Sequence, residues 1–329
     1  MKALTYNRYG PPDVVRVEDV PRPEPGPGEV LVRVAASAVN TGDWRIRAAA
    51  FPGVLAVPGR LMFGLFGPRN PRLGTEFAGT VEATGTGVSR FDAGDRVYGF
   101  LSGGGASAEY LVIAESAAIS PLPSPLAFRE GAALPFGGLA ALVFLTEIGG
   151  LEAGQDVLIV GASGGVGVYA TQIAKALGAR VTGIAGPDSQ ALVRNLGADR
   201  AIDYRETRPD AISGQFDIIL DTVGVLAPAA AFNLLKPGGV FLPLNMGLRE
   251  MGAATLNPFR ARKIKLAVND DSAEGLARLG QLVEAGQLKP VIDSVFPLEE
   301  AAAAHARVES RHKKGAVVLE IGSDTQPAG

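Results

Sequence analysis

The chain has 329 residues, 47% of them hydrophobic and 20% charged, with a net charge of −3, no long charge runs and no three-residue period among its 43 glycines. That composition excludes a disordered or collagen-like chain, suits two domains of ordinary size, and gives no reason to invoke nucleic acid or an anionic membrane as a partner. With no cysteine, neither a disulfide nor a zinc–thiolate site can form, and the two histidines, His305 and His312, both stand near the C-terminus.

At the N-terminus, MKALTYNRYG lacks the apolar core of a signal segment, and the longest uncharged apolar stretch, Ala132 to Leu145, is too short to span a bilayer. A cytoplasmic location is expected. Residues 2 to 6 and 14 to 19 alternate as strands do, and PRPEPGPGE (21 to 29) forms a stiff connection. EVLVRVAASAVN then sets Val30, Val32 and Val34 on one face of a strand and delivers Asn40, Thr41, Gly42, Asp43 and Trp44 into a loop or helix start. From Ala48 to Arg72 the periodicity lapses while Phe51, Leu61, Met62, Phe63 and Phe66 accumulate, which fits either a mobile apolar lid or plain core filling. The run 73 to 100 and SAEYLVI (107 to 113) read as short strands with glycine turns, typical of a compact antiparallel barrel. PLPSPL (121 to 126), with three prolines in six residues, marks a hinge.

Beyond the hinge strands and helices alternate: Val157 to Val160, a helix to Leu177, Arg180 to Ala185, a helix through Leu196, Arg200 to Ile202, Phe216 to Asp221, Val240 to Leu244 and Lys265 to Val268. The alternation implies an α/β fold with a doubly wound parallel sheet. A helix from about Ala273 to Ala285 follows, and 290 to 323 looks like further barrel material. The expected plan is therefore a barrel domain over 1–124, completed by about 290–323, an α/β domain over 125–289, and a flexible tail at 324–329.

The most informative stretch is DVLIVGASGGVGVYATQIAKALGA (156 to 179), a buried strand, a glycine-rich turn and a helix. Gly164, Gly165 and Gly167 lack Cβ atoms, so backbone N–H groups can approach a pyrophosphate at the positive end of a helix. The spacing departs from strict G-x-G-x-x-G, since Ala162, preceded by Gly161, holds its first position. A cradle running Ala162, Ser163, Gly164, Gly165, Val166 and Gly167 is expected to bind a dinucleotide.

Together AVNTGDW (38 to 44), LGTEFAGTVEATGTGVSRFDAGDRVYG (73 to 99), AALPFGGLAAL (132 to 142), GASGGVG (161 to 167), LGADRAIDY (196 to 204), FDIILDTVG (216 to 224) and LLKPGGV (234 to 240) resemble the medium-chain dehydrogenase/reductase superfamily, in its zinc-free quinone-oxidoreductase-like branch. The resemblance implies a GroES-like barrel domain, a Rossmann domain, and a cleft where a nicotinamide cofactor gives hydride to an electron-poor substrate. Where zinc-bearing relatives have Cys, His and Cys, this chain has Asn40, Thr75 and the region of Pro135, which suit no soft metal. Quinones and α,β-unsaturated ketones or aldehydes become the expected substrates. A carbonyl or alcohol dehydrogenase and a non-catalytic cofactor sensor are the alternatives.

By the same resemblance Asn40 lies beside the nicotinamide, orienting a carbonyl or the carboxamide, unless it only caps a loop. Asp43 either relays a proton or pairs with Arg45 or Arg47. Glu76 is read as structural, as are Gly94, Asp95 and Arg96, a turn with an ion pair. Cofactor contacts carry over to Val223, Gly224, Leu244 and Asn245. The residues some 20 positions past the glycines, Ala185 and Gly186, offer no carboxylate for a ribose hydroxyl, which favours NADPH over NADH. Arg194 and Tyr204 are candidates for the 2′-phosphate, with Asp188 opposing it. Relatives often carry a lysine where this chain has Ala316, for which Lys313 or Lys314 could substitute. His305 is read as a helix-surface residue. A homodimer is expected, with GGVFLPL (238 to 244) as a candidate edge.

Overall fold

The structure, a computed structural model, describes residues 1–329 apart from 52, 54, 55, 269, 270 and 323–329, so the expected tail lies outside the described residues. Strands β1 (Lys2–Tyr6) and β2 (Val15–Asp19) form an antiparallel pair beside the main barrel sheet. That sheet is organised on β3 (Glu29–Val39), where Val30, Val32 and Val34 are each at most 1% exposed. It pairs with β4 (Glu76–Thr84), which continues through β5 (Arg96–Phe100) to β7 (Ile119–Pro121), while β6 (Tyr110–Ala114) pairs with β3 separately. Asp95 does not form the expected ion pair: it accepts from Asp92 N, while Arg96 reaches Leu126 O and the Phe128 ring.

Two helices leave the barrel before β4, α1 (Thr41–Ala48) and α2 (Ala56–Phe63). The lapse in periodicity over 48–72 does not reflect core filling. Helix α2 buries no residue, Phe66 is 96% exposed, and none of the described residues of 48–72 lines the cleft discussed below.

Helices α3 (Phe128–Ala132) and α4 (Pro135–Val143) carry the chain into a parallel sheet. Its strands are β8 (Asp156–Val160), β9 (Arg180–Ala185), β10 (Arg200–Asp203), β11 (Phe216–Asp221), β12 (Leu235–Pro243) and β13 (Lys263–Ile264), in the order β10-β9-β8-β11-β12-β13. This is the Rossmann order, reversing direction between β8 and β11. Val157, Leu158, Ile159 and Val160 are each at most 2% exposed, as a strand covered on both faces requires. The covering helices are α5 (Gly167–Ala176), α6 (Gln190–Asn195), α7 (Pro228–Leu234), α8 (Leu248–Thr255) and α9 (Ala273–Glu284). The candidate edge at 238–244 is interior, because β12 lies between β11 and β13.

The chain then returns to the barrel sheet through β14 (Ile292–Pro297), α10 (Ala301–Glu309) and β15 (Ala316–Glu320). β14 and β15 are parallel, the one such pair in that sheet among the described residues, and α10 supplies the crossover that parallel strands need. His305 on α10 is not at the surface: it is 1% exposed, and burial beside Arg47 lowers its pKa to about 3. A buried bond ties the barrel sheet to α9, the Tyr98 hydroxyl donating to Leu276 O at 2.6 Å, and another ties α5 to the end of α3, the Tyr169 hydroxyl donating to Ala133 O at 2.7 Å. No helix among the described residues is long and apolar enough to cross a membrane.

Candidate active site

The direction reversal between β8 and β11 opens a crevice at the C-terminal ends of the strands, where doubly wound sheets bind ligands. A cleft of about 500 Å³ lies there, floored by Gly161 and Ser163 to Val166, with Ile184 to Ser189 on one side and Thr222, Val223 and Asn245 on the other. A groove of about 800 Å³ on the barrel, lined by Arg33, Glu82, Tyr110 and Phe128 among others, includes none of the residues of the β8 glycine turn.

Local bonds shape the floor. Gly161 and Ala162 both donate their N–H to Ile184 O, tying the turn to the neighbouring strand. Gly161 takes φ +82°, and a Cβ there would lie 2.4 Å from Val223 Cγ2, so Gly161 makes the tight turn expected of the position after it. Among the described residues the N–H groups of Ser163, Gly165 and Val166 have no protein acceptor. Donors free at the start of α5 are what an anion requires. On the far wall the buried Asp221 carboxylate accepts from the N–H of Val223, Gly224 and Leu226, at 3.0, 2.7 and 2.9 Å, and so fixes the turn after β11.

The electrostatics are one-sided. The cleft lining carries Arg45, Arg205, Arg311, Lys313 and Lys314 against a single carboxylate, Asp188. Lys313 packs directly on the glycine turn, its Nζ 2.6 Å from where a Cβ on Gly165 would stand. Burial lowers its pKa to about 8, with the Glu76 carboxylate opposing that shift. The segment is latched to the floor by Gly315 N, which donates to Ser163 O at 3.0 Å. Arg45 reaches from α1 across the cleft to Asn245 Oδ1, and its pKa is lowered by burial and by the Arg311 charge.

Asn40 and Asp43 are brought together, but behind the wall. Both are buried, at 4% and 2% exposure, and neither lines the cleft, which instead receives Thr41, Trp44 and Arg45 from the same turn. Asn40 caps α1: its Oδ1 accepts from Asp43 N at 3.0 Å while Asp43 Oδ2 accepts from Asn40 N at 2.9 Å. Its amide N–H groups are spent on Thr75 Oγ1 (2.8 Å) and Glu76 Oε2 (2.9 Å), leaving none for a carbonyl in the cleft. Asp43 pairs with neither candidate arginine, since Arg47 bonds Gly10 O and Glu309. Burial raises the pKa of Asp43 to about 7 and that of Glu76 to about 8, the latter despite bonds from Asn40 and Phe136 N. This set does not fit zinc, because amide N–H groups and a threonine hydroxyl stand where metal lone pairs would be needed.

Of the other expected contacts, Ser163, Gly164, Gly165, Val166, Gly186, Tyr204, Val223 and Asn245 line the cleft. Ala162, Gly167 and Gly224 lie just behind it and Leu244 turns to the core. Arg194 is exposed on α6 and away from the cleft. Sequence reasoning assigned no role to Trp44, Phe136, Arg205 or Arg311. The basic run Arg311 to Lys314 just before the last strand was the available signal for the missing charge.

These residues agree with the relatives. Residues 26–124 match the alcohol dehydrogenase GroES-like domain and 196–319 the family model described as zinc-binding dehydrogenase. A chloroplast envelope quinone oxidoreductase homolog of Arabidopsis thaliana is 32% identical over 97% of this chain and 98% of its own. Among solved structures, the quinone oxidoreductase from Coxiella burnetii superposes with a TM-score of 0.86 at 29% identity, covering 98% of this chain and 99% of that one. The Escherichia coli quinone oxidoreductase complexed with NADPH gives 0.82 at 25%, covering 98% and 100%. The chain is an oxidoreductase that belongs to the medium-chain dehydrogenase/reductase superfamily, in its quinone oxidoreductase-like branch.

Proposed function

We propose that the protein is an NADPH-dependent reductase that passes hydride to quinones or to activated C=C bonds without a metal. The observation that carries this reading is Lys313 seated on a glycine turn with free N–H donors, inside a cleft whose lining holds five cations and one carboxylate. That arrangement suits a dinucleotide pyrophosphate. When bound, NADPH supplies the hydride; the chain's residues bind, orient and enclose. Ser163 to Val166 and Lys313 would hold the pyrophosphate, and Val223 and Asn245 flank its far side. Trp44 and Phe136 give the cleft flat apolar walls, suited to a conjugated substrate.

Neither of the raised carboxyls, Asp43 and Glu76, lines the cleft, since both are turned into their own network. A conjugated acceptor, which delocalises the charge it receives and can take its proton from water, matches such a site better than an isolated carbonyl does. The relatives named quinone oxidoreductase, and the NADPH complex among them, support the same choice.

The test is oxidation of NADPH, followed by its absorbance, with a panel of quinones, enones and simple ketones in the presence of EDTA. Turnover of quinones or enones but not of simple ketones is expected. Activity lost on chelation and restored by zinc would overturn the reading, and tight nucleotide binding with no turnover would return the sensor alternative.

A further inference from the structure

We propose that the 2′-phosphate of the cofactor is read by a clamp of two cations from separate segments of the chain, Lys314 from the segment before β15 and Arg205 from just after β10. The inference rests on the dinucleotide reading above and adds the residues that decide which dinucleotide is preferred.

The turn after β9 supplies neither of the usual solutions. Ala185 and Gly186 offer no carboxylate to a ribose diol, and Pro187, Asp188 and Ser189 offer no cation to a phosphate. Arg194, the next basic residue along the chain, is exposed and outside the cleft. Other segments fill the gap. Tyr204 packs on Gly186, where a Cβ would lie 3.4 Å from Tyr204 Cε1, so its ring forms a floor at this end of the cleft. The next residue, Arg205, lines the same end, with its N–H fixed by Asp203 Oδ1 at 2.9 Å.

From the segment before β15, Lys314 Nζ donates to Asp188 O at 2.8 Å, which holds the ammonium against the turn. Its own backbone is anchored, Lys314 N donating to Asp293 Oδ1 at 2.7 Å, and Asp293 is in turn paired with Arg307 at 2.6 Å. An ammonium has three donors and the Asp188 carbonyl takes one, so two remain for phosphate oxygens. The Asp188 carboxylate, the only acid in the lining, lies on the same turn. It would repel a phosphate but accept from the hydroxyls of an unphosphorylated ribose. Two cations and one anion therefore make preference for NADPH a balance that single substitutions can shift.

The experiment is calorimetry on the full chain with NADPH, NADH, 2′,5′-ADP and 5′-ADP, for the native protein and for Lys314→Met, Arg205→Met and Asp188→Asn. Each cation removed should weaken NADPH and 2′,5′-ADP by about tenfold or more, the scale of one charge-assisted bond, and leave NADH and 5′-ADP within about twofold. Asp188→Asn should tighten the 2′-phosphorylated ligands selectively. Unchanged melting temperatures show that the variants fold. Equal losses for both nucleotide classes, or none, would overturn the clamp while leaving the dinucleotide site intact. Absence of all binding to the native protein would sink the dinucleotide reading instead.

Discussion

Replacing Gly167 with alanine tests whether the contact between β8 and α5 sets the geometry of the cofactor site. A Cβ on Gly167 would stand 2.0 Å from Gly161 O, 2.7 Å from Ala162 Cα and 2.8 Å from Ala162 C, all backbone atoms. Ordinary contact begins at 3.4 Å, so the helix and the turn must part by about 1.4 Å. Gly161 O cannot yield freely, because it accepts from Gly164 N at 3.0 Å, while the turn is held by two bonds to Ile184 O. Overpacking of this kind costs about 1–3 kcal/mol, against about 1 kcal/mol gained from alanine's helix propensity. Loss of one or two turn bonds adds about 0.5–1.5 kcal/mol each. A net destabilisation of about 0.5–5 kcal/mol is expected, lowering Tm by about 2–4 °C per kcal/mol or slightly less for a chain of this size.

Binding should suffer more than stability. The donors of Ser163, Gly165 and Val166 sit in the segment that must move, so NADPH affinity should fall at least about tenfold, the cost of one misplaced charge-assisted bond. Gly164→Ala is the control, since its Cβ would lie 3.3 Å from Gly161 O, a shortfall that small adjustments absorb, and its Tm should stay within about 1 °C of the native value. Calorimetry and thermal melts on both variants decide the matter. If Gly167→Ala binds NADPH within about twofold of the native protein and melts within about 1 °C of it, the close approach does not set the cradle and the reasoning fails.

Two further outcomes follow from the same structure. Tyr98→Phe removes the side-chain donor to Leu276 O across the domain junction, the carbonyl keeping its place in helix α9, and urea unfolding should show a loss of about 0.5–1.5 kcal/mol; no loss would mean that water replaces the hydroxyl. The carboxyls of Asp43 and Glu76, raised to about 7 and about 8, keep protons in the folded state at pH values where the unfolded chain has lost them. Their favourable contribution is complete below the ordinary carboxylate range and is lost as pH rises through the folded values, so stability should decline between about pH 5 and pH 8, by at most ~1.4 kcal/mol per pH unit for each group. Glu76→Gln should flatten that slope in melts across the range, and an unaltered slope would remove Glu76 from the account.

The fold was legible where its determinants are local. A fourfold apolar run, glycines at the turn and a helical repeat after it lie within 24 consecutive residues, and each feature acts on its immediate neighbours. Asn40 shows where that ends. Its position was readable, but the direction of its amide was not, because that depends on Thr75 and Glu76, some 35 residues away, and on Asp43 closing a helix cap. His305 misled for a related reason: an alanine-rich helix with a histidine looks solvated until β14 and β15 are placed beneath it and α1 beside it. The exposed apolar residues of α2 invert the same lesson, since a phenylalanine-rich segment there buries none of its helix.

Charge was the least legible property, because a total says nothing about placement. A net of −3 coexists with a cleft in which five cations face one acid, and those cations come from α1, from just after β10 and from residues 311–314 after α10. Assembly of the return strand β15 onto β3 carries Arg311 to Lys314 over the glycine turn, and the Gly315 bond to Ser163 secures them there. The segment that completes the barrel therefore also supplies basic lining to the cleft of the other domain. A dinucleotide in that cleft would be held by both, which gives the junction a reason to be tied by Tyr98 and Arg45 rather than left as a free hinge.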